Sequence, residues 1–177
     1  MYEVLLLAGR SGSGKSTVGY EVSALLEAQQ VTHCLLEGDY LDHAWPEPPN
    51  SLLEANLAAI WRNYTELGYR RLVYTNSACI LVPDMFRRAL GAPLRIIPVL
   101  LTASDESVLA RLSAREIGSG LDSHVRRSAH LARVLESAAP PDTVRIPTDN
   151  RPIPEIAHDV VAVTGWPRVS PASRSAP

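Results

Sequence analysis

One segment near the N-terminus constrains this chain more than any other. It reads Gly9-Arg10-Ser11-Gly12-Ser13-Gly14-Lys15-Ser16 and fits the phosphate-loop pattern G-x-x-x-x-G-K-S/T. The apolar run 4–8 directly before it predicts a strand, and residues 16–29 after it have the periodicity of a helix. A strand, a glycine-rich loop and a helix are the context in which this loop binds phosphate, so the sequence predicts a site for a di- or triphosphate here.

The residue types of this segment assign a chemical role to most of its positions. The glycines allow a tight turn with inward N–H groups, and the helix start adds its positive dipole end. We expect Lys15 to reach the β and γ phosphates, the Ser16 hydroxyl to bind Mg²⁺ and Thr17 to contact the α phosphate. A chance glycine-rich turn is the alternative, but it would need neither Lys15 nor Ser16 at these offsets. The predicted nucleotide-binding residues of the loop are Gly9, Ser11, Gly12, Ser13, Gly14, Lys15, Ser16 and Thr17.

Composition limits the class of partner. The chain has 177 residues, of which 46% are hydrophobic and 20% charged, and this is typical of one globular domain. A net charge of -2 offers no general attraction to nucleic acid or to an anionic membrane, so a small molecule is the better partner. No run approaches the ~20 apolar residues that span a bilayer. Cys34 and Cys79 stand alone within apolar runs, which indicates buried reduced thiols and a cytoplasmic setting.

Apolar periodicity along the chain predicts alternating strands and helices. Strands are expected at 4–8, 33–37, 71–75, 94–101 and 143–147, and helices at 16–29, 52–67, 83–90, 106–115, 122–137 and 154–163. This alternation predicts an α/β domain over residues 1–166 with five parallel strands covered on both faces. Residues 167–177 are rich in Pro, Ser, Ala and Arg and predict a disordered tail.

Polar residues follow four of the predicted strands. Segments 37–39, 75–77 and 148–150, together with Thr102, stand at the carboxyl ends of strands, where parallel α/β sheets bind ligands. Asp39 could accept a proton there from a substrate hydroxyl, with Glu37 and Asp42 as weaker alternates for a magnesium-water or substrate contact. The alternative is that Asp39 is only a turn or helix-cap residue. The predicted substrate-binding residues are Asp39, Tyr40, Trp45 and Asn76.

Aromatic residues and histidines give weaker signals. Trp45 lies in a proline-rich loop, where it could line a substrate pocket. Trp61 and Tyr64 could do the same, although a core contact between helix and sheet is the more common role of such residues. The histidines are scattered without a pairing that indicates zinc.

Arginines flank a glycine-rich joint after the fourth predicted strand. Arg111 and Arg115 lie four residues apart on one helix face, and the joint 118–120 separates them from Arg126 and Arg127. This pattern is typical of a mobile lid, here about 111–127, that closes over phosphates and stabilises the transferring charge through Arg111 and Arg115. A solvated helix face is the alternative, and for Arg126 and Arg127 the two interpretations are balanced.

The chain resembles the small P-loop kinases of the nucleoside-monophosphate-kinase type, in particular the branch of gluconate kinase, adenylylsulfate kinase and chloramphenicol phosphotransferase. The resemblance rests on segments 9–17, 36–39, 76–78, 108–115 and 148–152. It implies ATP as the donor, a three-layer P-loop fold with strand order 2-3-1-4-5, and Asp39 as the acceptor-binding residue and base. It also implies that 111–115 belongs to the lid and that 148–152 packs near the adenine, which assigns Asp149 and Arg151 to the nucleotide.

The acceptor stays open because the chain departs from these relatives after Asp39. Gluconate kinases continue with a histidine–proline pair, whereas this chain reads Tyr40-Leu41-Asp42-His43-Ala44-Trp45-Pro46, and the adenylylsulfate kinase continuation is also missing. The resemblance predicts an ATP-dependent kinase, monomeric or homodimeric, that phosphorylates a hydroxyl of a metabolite or antibiotic. A regulatory or switch NTPase without a small acceptor is the second hypothesis, which the lack of N-K-x-D and D-x-x-G motifs disfavours. A degenerate binding protein is the third, and the intact Gly14-Lys15-Ser16 argues against it.

Overall fold

The computed structural model describes residues 1–47, 51–114 and 120–166. The strands of this part are β1 (Tyr2–Ala8), β2 (Cys34–Glu37), β3 (Arg71–Thr75), β4 (Leu94–Thr102) and β5 (Val144–Pro147). The α-helices are α1 (Lys15–Ala28), α2 (Leu53–Glu66), α3 (Pro83–Leu90), α4 (Asp105–Ser113), α5 (Leu121–Ala138) and α6 (Ile153–Thr164). Each predicted strand and helix is present with bounds shifted by a few residues, and the predicted tail 167–177 lies outside the described residues.

The strands form one all-parallel sheet in the order β2-β3-β1-β4-β5, which confirms the predicted fold class and strand order. Because β1 pairs with β3 on one side and β4 on the other, the loop that follows β1 lies at the centre of the sheet's carboxyl edge. Helices α1 and α6 cover one face, and α2, α3 and α5 contribute to the core on the opposite face. The arrangement places ligand-binding loops where doubly wound sheets carry them.

The apolar run of β1 explains its central position. Leu5 and Leu7 pack into the core beneath α1 and α6, and Val4, Leu6 and Ala8 pack into the core on the opposite face. All five side chains have no exposed surface. A strand buried on both faces requires continuous rather than alternating hydrophobicity, so the sequence pattern follows from the layer architecture.

β1 begins at Tyr2, two residues earlier than the apolar run predicts. Its first residues are half-buried and pair with β4, where Tyr2 lies opposite Leu94 and Glu3 lies opposite Arg95. Glu3 forms ion pairs with Arg95 at 2.8 Å and with Arg71 at 3.3 Å. These contacts extend the strand past its hydrophobic segment, which hydropathy alone does not indicate.

Trp61 belongs to the core and not to a substrate pocket. It is 3% exposed, its Nε1 donates a hydrogen bond to the Leu90 carbonyl at 3.1 Å, and its ring packs edge-on against Tyr2 at 5.3 Å. Cys34 and Cys79 are buried free thiols, as predicted, and burial raises the pKa of each to about 12. None of the helices in the described part of the chain combines the length and apolar character that a bilayer span requires.

Tyr74 in β3 fixes the backbone just before Asp39. Its ring is fully buried and packs edge-on against Phe86 with centroids 4.9 Å apart. A Cβ atom on Gly38 would lie 2.0 Å from the Tyr74 hydroxyl, so the close approach of ring and backbone requires glycine at this position. The hydroxyl itself is buried without a hydrogen-bond partner among the described residues, and burial raises the pKa of Tyr74.

We predict that Tyr74→Phe stabilises the protein. The substitution removes a buried hydroxyl that has no partner but keeps the ring, so the free energy of unfolding should rise by about 1 kcal/mol. Urea denaturation measures this change, and Tyr20→Phe, at a residue that is 60% exposed, is the control with no expected change. A loss of stability in Tyr74→Phe alone would show that the hydroxyl makes a favourable interaction.

Candidate active site

The loop between β1 and α1 has the backbone conformation of an anion cradle. Gly12 and Gly14 have φ angles of 84° and 94°, which lie in the left-handed region that favours glycine. The Gly9 N–H donates to the Ser77 carbonyl at 3.2 Å, which ties the loop to the residues after β3. The motif glycines therefore serve the turn that the sequence predicts.

Helix α1 begins at Lys15 with its N-terminus directed into this loop. Its N-cap is Gly14, which has no side chain to cap the first-turn N–H groups. Such N–H groups, together with the helix dipole, favour a bound anion. Lys15 adds a positive charge at the same point, with a side chain only 9% exposed.

A cavity of about 260 Å³ lies over the loop and the start of α1. Residues from the loop, from the end of β2 and from helices α4 and α5 share its wall: Ser11, Gly12, Gly14, Lys15, Ser16, Thr17, Asp39, Leu112 and His124. Two chemically different groups, the loop lysine and the carboxylate after β2, therefore face one space. The sequence predicts both, from the rule that the carboxyl ends of parallel strands share a crevice.

Asp39 is oriented by Asn76. The Asn76 Nδ2 donates to Asp39 Oδ1 at 2.6 Å, and the Ala78 N–H donates to Asn76 Oδ1 at 3.0 Å. Because the Ala78 N–H requires an acceptor, the amide has one possible orientation, and its NH₂ group must face the carboxylate. Asn76 therefore contacts the predicted base, and Asp39 is exposed within the 3₁₀ turn Gly38–Tyr40.

Arg111 links α4 to both the phosphate loop and the end of β5. Its Nη1 donates to the Gly12 carbonyl at 3.1 Å and to Thr148 Oγ1 at 3.0 Å, and its Nη2 donates to the Thr148 carbonyl at 2.9 Å. These contacts rule out a merely solvated helix face for Arg111. Arg115 lies outside the described residues. Arg126 and Arg127 are exposed on α5, where Arg127 approaches Ser123 at 3.4 Å.

The predicted nucleotide residues after β5 bond to neighbouring protein groups. Asp149 accepts hydrogen bonds from the Ser104 N–H at 3.0 and 3.1 Å and from the Ser104 hydroxyl at 3.1 Å. The Ser107 hydroxyl and these Ser104 donors hold the pKa of the Asp149 carboxyl below its usual range. Arg151 donates to the Pro147 carbonyl at 3.1 Å and to Asp159 at 2.7 Å. This loop is thus fixed to the start of α4 and to α6.

The other predicted substrate residues lie apart from the cavity wall. Tyr40 is 74% exposed and Trp45 is 95% exposed, and neither lines the 260 Å³ cavity. Asp42 accepts a hydrogen bond from Ser51 at 2.9 Å. Glu37 is half-buried, and its Oε1 has no hydrogen-bond partner among the described residues.

The structure also adds residues that the sequence motifs did not single out. Leu112 and His124 complete the cavity wall from α4 and α5. Arg10, a variable position of the motif, is 5% exposed and binds Asp105 and Ser128. The sequence gives no signal for these contacts of Arg10, because the burial of a side chain cannot be predicted from one loop sequence.

Comparison with solved structures identifies the architecture. A gluconokinase from Sinorhizobium meliloti is 23% identical with a TM-score of 0.62, over 92% of this chain and 91% of that chain. The APS kinase of Mycobacterium tuberculosis, solved with AMPPNP and APS, is 21% identical with a TM-score of 0.57, over 92% and 96%. The Deinococcus radiodurans tunicamycin resistance protein is 14% identical with a TM-score of 0.63, over 94% and 97%. The chain has the P-loop kinase fold.

A family model adds a more local similarity to this P-loop kinase fold. The adenylylsulphate kinase model matches residues 2–47, which include β1, the phosphate loop, α1, β2 and Asp39. The match does not reach Asn76 or Arg111. No curated protein sequence is detectably similar to the chain.

The cavity offers hard oxygen atoms of the kind that Mg²⁺ prefers. The Ser16 hydroxyl and the Asp39 carboxylate both lie on its wall. Within residues 1–47, 51–114 and 120–166, no group of three or more His, Cys, Asp or Glu side chains could hold a metal ion alone. The donor set fits Mg²⁺ bound mainly through phosphate oxygens and water, with few protein ligands.

We predict that Arg111→Lys lowers stability because one ammonium cannot reproduce hydrogen bonds from two guanidinium nitrogens to two different loops. The free energy of unfolding should fall by about 1–3 kcal/mol, as for lost hydrogen bonds from a charged donor. Urea denaturation measures the loss, with Arg87→Lys at an exposed ion pair as the matched control. Equal stability of the two variants would show that Arg111 does not brace the phosphate loop.

Proposed function

We propose that the protein is an ATP-dependent kinase that transfers the γ-phosphoryl group to a hydroxyl of a small metabolite or antibiotic. One observation carries the proposal. Lys15 and Asp39, the charge that binds phosphate and the carboxylate that can take a proton, line the same cavity of about 260 Å³. A nucleotide switch needs the first group but needs no base for an acceptor hydroxyl.

In the proposed reaction, the phosphates are bound and stabilised by positive charge. A polyphosphate in the loop would meet the first-turn N–H groups of α1 and the ammonium of Lys15, which is 9% exposed, and preorganised charges of this kind stabilise transferring phosphoryl oxygens. Mg²⁺ would supply further neutralisation of the phosphates when bound, with Ser16 as its ligand from the loop. Asp149 and Arg151 are proposed to border the adenine, as the resemblance to P-loop kinases implies; Asp149 lies beside the start of α4 and Arg151 beside α6.

The acceptor side rests on Asp39. We assign it as the general base that takes the proton of the acceptor hydroxyl as that oxygen bonds to the γ phosphorus and ADP departs with the bridging oxygen. Asn76 leaves one carboxylate oxygen unclaimed, because its hydrogen bond goes to Oδ1. Oδ2 is therefore the atom we assign to the acceptor proton.

The compared structures support this reaction class. Their names specify a gluconokinase, an APS kinase bound to AMPPNP and APS, and a tunicamycin resistance protein, which favours ATP and a small acceptor. A reducing, cytoplasmic setting agrees with the two buried free cysteines. The acceptor itself is open, because the segment after Asp39 departs from those of gluconate and adenylylsulfate kinases.

We predict that Asp39→Asn lowers acceptor-dependent ATP turnover by roughly 10²–10⁴-fold with little change in ATP affinity. Asparagine keeps size and polarity but cannot take the proton. Steady-state kinetics and calorimetric titration with ATP measure the two quantities. Asp42→Asn is the matched control, since its carboxylate is bonded to Ser51 and lies off the cavity wall, and it should keep near-normal turnover.

Two outcomes would contradict the assignment of Asp39. If ATP binding collapsed while transfer per bound nucleotide survived, Asp39 would belong to the magnesium shell. If both aspartate variants retained normal turnover, the base would have to be another group, and Glu37 would be tested next.

A further inference from the structure

The first variable residue of the phosphate loop is a buried arginine. Arg10 is 5% exposed, and its guanidinium makes an ion pair through Nη1 with Asp105, the first residue of α4. Its Nε donates to Ser128 Oγ of α5 at 2.9 Å. One side chain of the phosphate loop is therefore bound to both α4 and α5.

Ser128 forms hydrogen bonds both with the Arg10 side chain and with the backbone of the next loop residue. Its hydroxyl accepts the Arg10 hydrogen bond and donates to the Ser11 carbonyl at 2.9 Å. Ser128 is 2% exposed, and its hydrogen bond with Arg10 is buried. Two successive residues of the loop are thus held by one serine of α5.

The backbone of Arg10 connects this network to the phosphate site. The Arg10 carbonyl accepts hydrogen bonds from the Ser13 N–H at 3.1 Å and from Lys15 Nζ at 3.4 Å. A movement of Arg10 would therefore move an acceptor that Lys15 uses and the turn that directs the loop N–H groups. The Arg10 side chain contacts α4 and α5, and the Arg10 carbonyl contacts Lys15, so this one residue connects the two helices to the phosphate site.

We propose that Arg10 is a positioning residue for phosphoryl transfer: its bonds to Asp105 and Ser128 hold the loop carbonyl that orients Lys15. This proposal rests on the proposed kinase function. Arginine suits the role because its Nε and Nη1 serve two partners in a fixed plane, whereas lysine offers a single ammonium. Removing this buried guanidinium leaves the buried Ser128 hydroxyl without its donor, whereas the Asp105 side chain is 83% exposed and can bind water instead.

A cavity next to Arg10 allows an experiment that distinguishes the positioning of Lys15 from general structural support of the loop. This cavity of about 530 Å³ is lined by Arg10 itself, by small and apolar residues of α5 and β4 such as Ala129 and Leu100, and by the charged residues Asp105, Arg133 and Glu136. In an Arg10→Ala variant, free guanidinium could enter from this cavity and occupy the vacated position. Guanidinium at roughly 50 mM is far below the molar concentrations at which it unfolds proteins.

The experiment compares Arg10→Ala with the wild type in ATP turnover, with guanidinium or methylammonium added. The acceptor is the compound that gives the wild type its highest turnover in a panel of hydroxylated metabolites and antibiotics. We expect kcat to fall by roughly 10- to 100-fold, as for a catalytic group displaced by about 1 Å, with a smaller change in the KM for the acceptor. Guanidinium should restore at least several-fold of the loss, and methylammonium should not. Arg95→Ala is the matched control, since Arg95 also bridges two partners, Glu3 and the Thr164 carbonyl, near the start of β4.

The outcomes separate this proposal from the proposed function. If the wild type transferred phosphate and Arg10→Ala matched Arg95→Ala in kcat, or if both cations rescued equally, the positioning role would be overturned. If the wild type bound ATP without any acceptor-dependent turnover, the kinase assignment would fail, and calorimetric ATP affinity would test Arg10 instead. There the proposal predicts about tenfold weaker binding in Arg10→Ala, and unchanged binding would contradict it.

Should Arg10→Ala fail to fold, Ser128→Ala tests the same linkage with a smaller change. It removes the hydroxyl that joins Arg10 to the Ser11 carbonyl while keeping the helix. We expect a several-fold loss in kcat with the acceptor KM nearly unchanged. A kcat equal to that of the wild type would overturn the proposal.

Discussion

The concentration of positive charge where β1 turns into α1 is the constraint on which the rest of this structure depends. The Lys15 ammonium and the uncapped N-terminus of α1 converge within one short loop, and the side chains of Lys15 and of the neighbouring Arg10 are nearly buried. Such an arrangement favours a bound polyanion, and it also requires support from the surrounding protein. Asp105 and Ser128 hold Arg10, and Arg111 fixes the Gly12 carbonyl. Helices α4 and α5 therefore act as a frame for the phosphate loop.

The sequence was sufficient for the fold because its strongest signals are local. A strand segment that is buried on both faces must be continuously apolar, and residues 4–8 of β1 have this pattern. Short apolar runs separated by helical periodicity leave few arrangements other than a parallel sheet, and the resemblance to P-loop kinases supplied the strand order. The shared cavity of Lys15 and Asp39 was also predictable, since both follow buried strands whose carboxyl ends meet at one edge.

Contacts between distant residues could not be predicted in the same way. Arg10 and Ser128 are 118 positions apart, and Arg111 is 99 positions from Gly12, so no spacing in the sequence relates them. For Trp61 the sequence favours a core contact, which the structure confirms, but it does not indicate Tyr2 as the partner. Trp45 is 95% exposed, and its predicted role in substrate binding stays a prediction. For these side chains the packing of helices on the sheet decides the environment, and a single sequence does not record that packing.

In the proposed function, one cavity serves both a phosphate donor and a hydroxyl acceptor. The most direct test of this proposal is release of ADP from ATP and Mg²⁺, measured with and without a panel of hydroxylated metabolites and antibiotics, with Lys15→Ala as the inactive reference. We expect at least one compound to raise ADP release many-fold and to become phosphorylated in equal molar amount, and we expect Lys15→Ala to abolish both. ADP and inorganic phosphate released at the same rate with every compound, in a reaction that Lys15→Ala removes, would contradict it and establish a nucleotide hydrolase.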